Sequence, residues 1–172
     1  MDSVTPTNKN TSDKKKTLLG LKLYARLSSK LIKRCMVLAG FNKDESNQSS
    51  QLYLYFMGMA LDYELERLKI LCSYDNCNVR IVSEKLKVFS KTQFATNEHN
   101  HKLEMMKKAM MRYRYDSCCL MVKCMIKVGF SSSATEIGNL RYRYFLRKAI
   151  HYEQVRWNYL KVSKKLGKKA KI

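Results

Sequence analysis

"CMVLAGF" at residues 35–41 returns as "CMIKVGF" at residues 124–130, an offset of 89 positions. Carried along the chain without a gap, the offset aligns residues 24–71 with 113–160 and yields fifteen identities in 48 positions. Unrelated segments of average composition would share roughly three. The identities are Tyr24/Tyr113, Ser28/Ser117, Leu31/Leu120, Cys35/Cys124, Met36/Met125, Gly40/Gly129, Phe41/Phe130, Tyr53/Tyr142, Tyr55/Tyr144, Phe56/Phe145, Ala60/Ala149, Tyr63/Tyr152, Glu64/Glu153, Arg67/Arg156 and Leu71/Leu160. Several of them, Tyr53, Phe56, Ala60, Tyr63, Arg67 and Leu71, step by three and four and so share one stripe of a helix. A duplication that keeps a stripe keeps a packing face.

Each copy reads as helix, glycine, polar loop, helix. In the first, a helix is predicted from about Thr17 to Ala39, Gly40 ends it in the left-handed conformation, and Phe41 folds back onto the last turn. The loop "NKDESNQSS" (42–50) leads into a second helix from about Ser50 to Leu71. The second copy predicts helices from about Asn97 to Val128 and Leu140 to Leu166, with Gly129-Phe130 and the loop "SSSATEIGN" between them. Neither hairpin can cover its own apolar stripe, so the expected fold is all-α: two tandem helical hairpins closing as a four-helix bundle with approximate twofold symmetry. The division expected is a disordered polar and basic tail (1–16), hairpin one (17–71), a linker (72–96), hairpin two (97–160) and a lysine-rich tail (161–172). Within the linker, "NVRIVSEKLKVFSK" supplies a short extra helix, with a strand as the alternative.

Composition narrows the function. Lys+Arg 34 against Asp+Glu 14 gives a net charge of +20, which burdens the folded state with self-repulsion unless a polyanion offsets it. One proline and six glycines leave long helices largely unbroken. No apolar run approaches the roughly 20 residues of a membrane span, and the N-terminus lacks a signal peptide's apolar stretch. A cytoplasmic or nuclear protein is expected, and its cysteines then read as reduced. Cys35, Cys118, Cys119 and Cys124 fall in apolar helical arcs and are assigned to the core.

The copies differ in charge. Residues 50–71 carry a net −1 and residues 139–160 a net +4, because Leu52, Leu54, Gly58 and Met59 become Arg141, Arg143, Arg147 and Lys148. Asp62 becomes His151, and "KVSKKLGKKAKI" follows with six lysines and no acid. The candidate polyanion-binding residues are therefore Arg141, Arg143, Arg147, Lys148, Lys161, Lys164, Lys165, Lys168 and Lys169. Lys22, Arg26, Lys30 and Lys33, opposite the apolar side of the first helix, form a second patch. Tyr142, Tyr144, Trp157 and Tyr159 are interleaved with the cations; those not used in the core are free to stack on bases. For Tyr142, Tyr144 and Trp157, core packing is the reading that helical spacing favours. The partner expected is nucleic acid, RNA above DNA, without sequence preference, since no base-reading motif is present. The alternatives are an acidic protein partner, an anionic membrane surface, or simple solvation of the charge. Two chains pairing as a homodimer is compatible with the sequence.

Catalysis is not expected. No phosphate-binding glycine loop occurs, and Glu64 and Glu153, three residues before Arg67 and Arg156, read as partners of intrahelical ion pairs. Cys72, Cys77, His99 and His101 are the one candidate zinc set, but a His-x-His spacing on a helix suits one ion poorly, and no metal or other cofactor is expected. "LYAR" (23–26) and "RYR" (141–143) resemble the Leu-Tyr-Arg tripeptide of small basic mitochondrial adaptors without containing it. In size, charge and lack of enzymatic motifs the chain is similar to small accessory proteins of RNA viruses that bind RNA to blunt host silencing. That likeness implies the same non-enzymatic RNA binding.

Overall fold

The computed structural model describes the backbone of residues 6–72 and 97–170, and side chains over 12–72 and 101–163. Four helices make up these segments: α1 (Pro6–Leu38), α2 (Gln51–Cys72), α3 (Asn97–Lys127) and α4 (Leu140–Ala170), with one 3-10 turn at Ser133–Thr135. The all-helical bundle anticipated from the repeat is present. The extra element expected within 72–96 lies outside the described residues.

Both ends of the bundle extend further than the periodicity indicates. Helix α1 begins at Pro6 rather than near Thr17, so residues 6–16 are helical and not an unstructured tail. Proline suits a helix's first turn, where its missing N–H has no partner in any case. Asp13 pairs with Arg141 at 3.2 Å, and the Lys16 ammonium reaches the Gly129 carbonyl at 3.4 Å, tying this extension to the second copy. Likewise α4 continues through the lysine-rich segment to Ala170.

Each of α1 and α3 ends on the cap its glycine foretells. Gly40 and Gly129 have φ of +112° and +108°. Phe41 N–H donates to the Met36 carbonyl and Phe130 N–H to that of Met125, both at 3.1 Å, while the glycine N–H groups reach Val37 and Ile126 at 3.0 Å. This double bond pattern needs a left-handed residue, and both phenylalanines are buried beneath it. In the first loop Asn42 and Glu45 cap each other reciprocally: Asn42 N–H donates to Glu45 Oε1 at 3.1 Å and Glu45 N–H to Asn42 Oδ1 at 2.8 Å.

The helices do not pack hairpin by hairpin. The most extensive contacts join α1 to α3 and α2 to α4, each helix to its own duplicate, whereas α1 and α2 scarcely meet. Contacts fix the directions. Gly40 lies by Met105 and Gly129 by Lys16, so α1 and α3 are antiparallel; Arg67 reaches Tyr142 and Arg156 reaches Tyr53, so α2 and α4 are too. Tyr24 meets Phe145 and Ser28 bonds Glu153, making α1 and α4 parallel; Phe56 meets Tyr113 and Glu64 bonds Ser117, making α2 and α3 parallel. The order around the bundle is thus α1, α3, α2, α4. The two arms of each hairpin stand on a diagonal, held apart by the arms of the other.

The core follows the repeat. Tyr53 and Tyr142, Phe56 and Phe145, Cys35 and Cys124, Met36 and Met125, and Ala60 and Ala149 are all buried. Cys118 and Cys119 are only half-buried, at the rim of that core. Edge-to-face ring pairs, Tyr24 with Phe145 at 6.4 Å and Phe56 with Tyr113 at 6.1 Å, are images of one another under the 89-residue offset.

Candidate nucleic-acid interface

Two polar networks cross the core, each repeating the other. Ser117 Oγ donates to Glu64 Oε1 at 2.8 Å; Arg67 holds Glu64 Oε2 at 2.7 Å and donates to the Tyr142 hydroxyl at 2.6 Å. In the image network Ser28 donates to Glu153, Arg156 holds Glu153 at 2.8 Å, and Arg156 donates to the Tyr53 hydroxyl at 3.1 Å. The intrahelical ion pairs expected at these positions form, but each is half of a set spanning three helices. Burial opposes the charge of Arg67, yet Glu64 beside it holds its pKa above the ordinary value. Burial likewise raises the Tyr142 phenol. Every member is engaged within the fold, so each network ties three helices together.

The candidate cations on α1 lie on the outside. Lys22, Arg26, Lys30 and Lys33 are all exposed on α1. On α4 the structure divides the candidates. Arg141 meets Asp13 of α1, and Lys148 sits 5.6 Å from the centroid of the Tyr144 ring, on the same side. Arg147 instead reaches Cys72 Sγ of α2 at 3.6 Å. Lys161 lies 4.0 Å over Trp157, whose indole N–H donates to the Leu54 carbonyl of α2 at 2.8 Å. Arg143 is half-buried and donates to the Gly138 carbonyl at 3.1 Å. Lys164, Lys165, Lys168 and Lys169 continue α4, with side chains outside the described set.

Charge segregates by helix. The parallel neighbours α1 and α4 contain nineteen lysines and arginines against two acids, Asp13 and Glu153, a net +17 of the chain's +20. Helices α2 and α3 contain nine against six. Twins of Lys22, Arg26, Arg141 and Lys148 under the 89-residue offset are Met111, Tyr115, Leu52 and Met59, none of them charged. On the α2 and α3 side a cleft of about 630 Å³ is lined by Tyr55, Met59, Asp62, Glu66, Met110 and Arg114, where the α4 twins of the two acids are His151 and Val155.

Aromatic placement departs from expectation in one residue. Tyr142 and Trp157 are core, as their spacing predicts, but Tyr144 is 42% exposed. It stands in a row with Tyr152 and Tyr159, 43% and 69% exposed. Spacing alone marks these three as one stripe, yet nothing local separates a covered stripe from an open one. Of the candidate zinc set, Cys72 is buried at the end of α2 and His101 is exposed on α3; Cys77 and the His99 side chain lie outside the described residues. Among the described residues no three His, Cys, Asp or Glu groups converge as a metal site, and no helix is long and apolar enough to cross a membrane.

Fold and sequence together define a small helical bundle, internally duplicated, with its positive charge concentrated in α1 and α4. No family model, curated protein or solved structure matches the chain.

Proposed function

We propose that the protein binds nucleic acid, RNA above DNA, without regard to sequence, through the side formed by α1 and α4. The observation that carries this is the concentration of +17 on two adjacent parallel helices. Phosphates displace condensed counterions onto such a surface, so the interaction is long-ranged and steeply salt-dependent. Both compartments expected of the chain, cytosol and nucleus, supply RNA. A non-enzymatic RNA-coating role of the kind small viral accessory proteins play fits the same surface.

The test is a quadruple variant, Lys22→Gln, Arg26→Gln, Arg141→Gln and Lys148→Gln, in gel shifts against unrelated RNA and DNA sequences. Binding should weaken equally for all sequences, and the slope of log affinity against log salt should become shallower by about three. Lys107→Gln with Lys108→Gln, on α3, should change it little. An unaltered slope in the quadruple variant places the site elsewhere.

One observation favours a second reading. Leu140, Val155 and Val162 are exposed on α4 beside the cations, apolar side chains that a docked protein would cover. An adaptor for an acidic protein would leave nucleic acid unshifted even at low salt.

A further inference from the structure

Resting on the nucleic-acid reading above, we infer that the α1 and α4 face takes a single strand, with bases stacked on Tyr144, Tyr152 and Tyr159. Three observations lead there. First, Tyr144, Lys148, Tyr152, Val155 and Tyr159 follow one another at steps of four, four, three and four and are all exposed, so three rings and a lysine form one outward stripe. Secondly, packing does not account for these rings. The twins of Tyr144 and Tyr152 are Tyr55 and Tyr63. Tyr55 is only 6% exposed. Tyr63 meets Tyr113 edge-on at 6.4 Å and lies under Arg114 at 5.2 Å. In the first copy Tyr55 is buried and Tyr63 half-buried against α3; in the second their twins Tyr144 and Tyr152 stand at the surface, joined by Tyr159, whose own twin is the exposed Ile70. Thirdly, beside Tyr144 opens a cleft of about 310 Å³ walled by Phe130, Leu140, Thr17, Lys14 and the Asp13–Arg141 pair, so that apolar surface for a base lies next to cations, with one carboxylate already engaged by Arg141.

A duplex has no use for such rings, because its base faces are already stacked on one another and only phosphates and groove edges are presented. An unpaired strand offers both what the cations bind and what the rings bind. At 1.5 Å per helical residue the three rings are spaced about 12 and 10.5 Å along the axis. Each therefore takes a separate base, with the intervening phosphates carried by Arg141, Lys148, Lys22 and Arg26. A second copy of the chain is the poorer occupant, since its own cationic side would oppose approach.

The experiment compares a fluorescein-labelled oligouridylate with a blunt RNA duplex of equal length, using the full chain. The single strand should bind more tightly. Tyr144→Ala, Tyr152→Ala and Tyr159→Ala should each weaken it roughly tenfold and leave the salt slope and duplex binding unchanged, while the corresponding Phe variants bind as wild type. Tighter duplex binding, or alanine variants that hold the single strand as well as wild type, overturns the inference and leaves the nucleic-acid reading intact. Binding to neither probe overturns both.

Discussion

Glu64 and Arg67 are the residues on which the interior turns. With side chains 4% and 14% exposed, neither charge is in water, and each is tolerated because the other, Ser117 and Tyr142 complete its hydrogen bonding. Breaking such a pair from one side leaves a buried charge uncompensated. Glu64→Ala should therefore cost about 3–5 kcal/mol in urea unfolding, and Glu153→Ala nearly as much. Ser117→Ala, which removes only one donor to the carboxylate, should cost about 1.5–3 kcal/mol. The local half of each network was legible, since a Glu three residues before an Arg announces its own pairing. The serine and tyrosine were visible only as identities between copies. Their partners lie 53 and 75 residues away along the chain, a distance over which periodicity carries no information. For the same reason Tyr144 reads as core, although the side of α4 it occupies faces solvent.

At the scale of the helix, the two glycine caps are the elements most fully specified by their own residues. Each combines a left-handed residue, a phenylalanine that returns to the core, and the same pair of backbone bonds. Gly40→Ala and Gly129→Ala place a Cβ in a conformation that costs roughly 1–2 kcal/mol, and thermal unfolding of the two variants should show similar losses. Helix starts were less legible than helix ends. "PTNKNTSDKKK" has no apolar periodicity and reads as a tail, yet α1 extends through it, because helix needs only the absence of breakers once Asp13 and Lys16 are anchored on α4 and on the Gly129 cap.

Across the whole molecule, burial ties stability to alkaline pH. Cys35 and Cys124 have thiols pushed by burial from 9.0 up to about 11. The unfolded chain gives up these protons from about pH 9 while the folded chain keeps them. Their contribution is intact below pH 9 and is lost as the pH rises through 11. Urea midpoints should be flat near neutrality and fall over that window, and Cys35→Ala with Cys124→Ala should reduce the fall; a slope that the double variant leaves unchanged rejects the assignment to these thiols. The fold class and the four helices could be read from the duplication, but the pairing of each helix with its own duplicate and the diagonal placement of each hairpin could not. An amphipathic stripe states that a helix needs a partner and is silent on which one.

That diagonal placement constrains how the protein is made. When the first 72 residues have left the ribosome, α1 and α2 have no one to pack against: the helices that fill the space between them have yet to be translated. The nascent first half must therefore wait, its apolar stripes open to chaperones, until the last helix emerges and both halves close together.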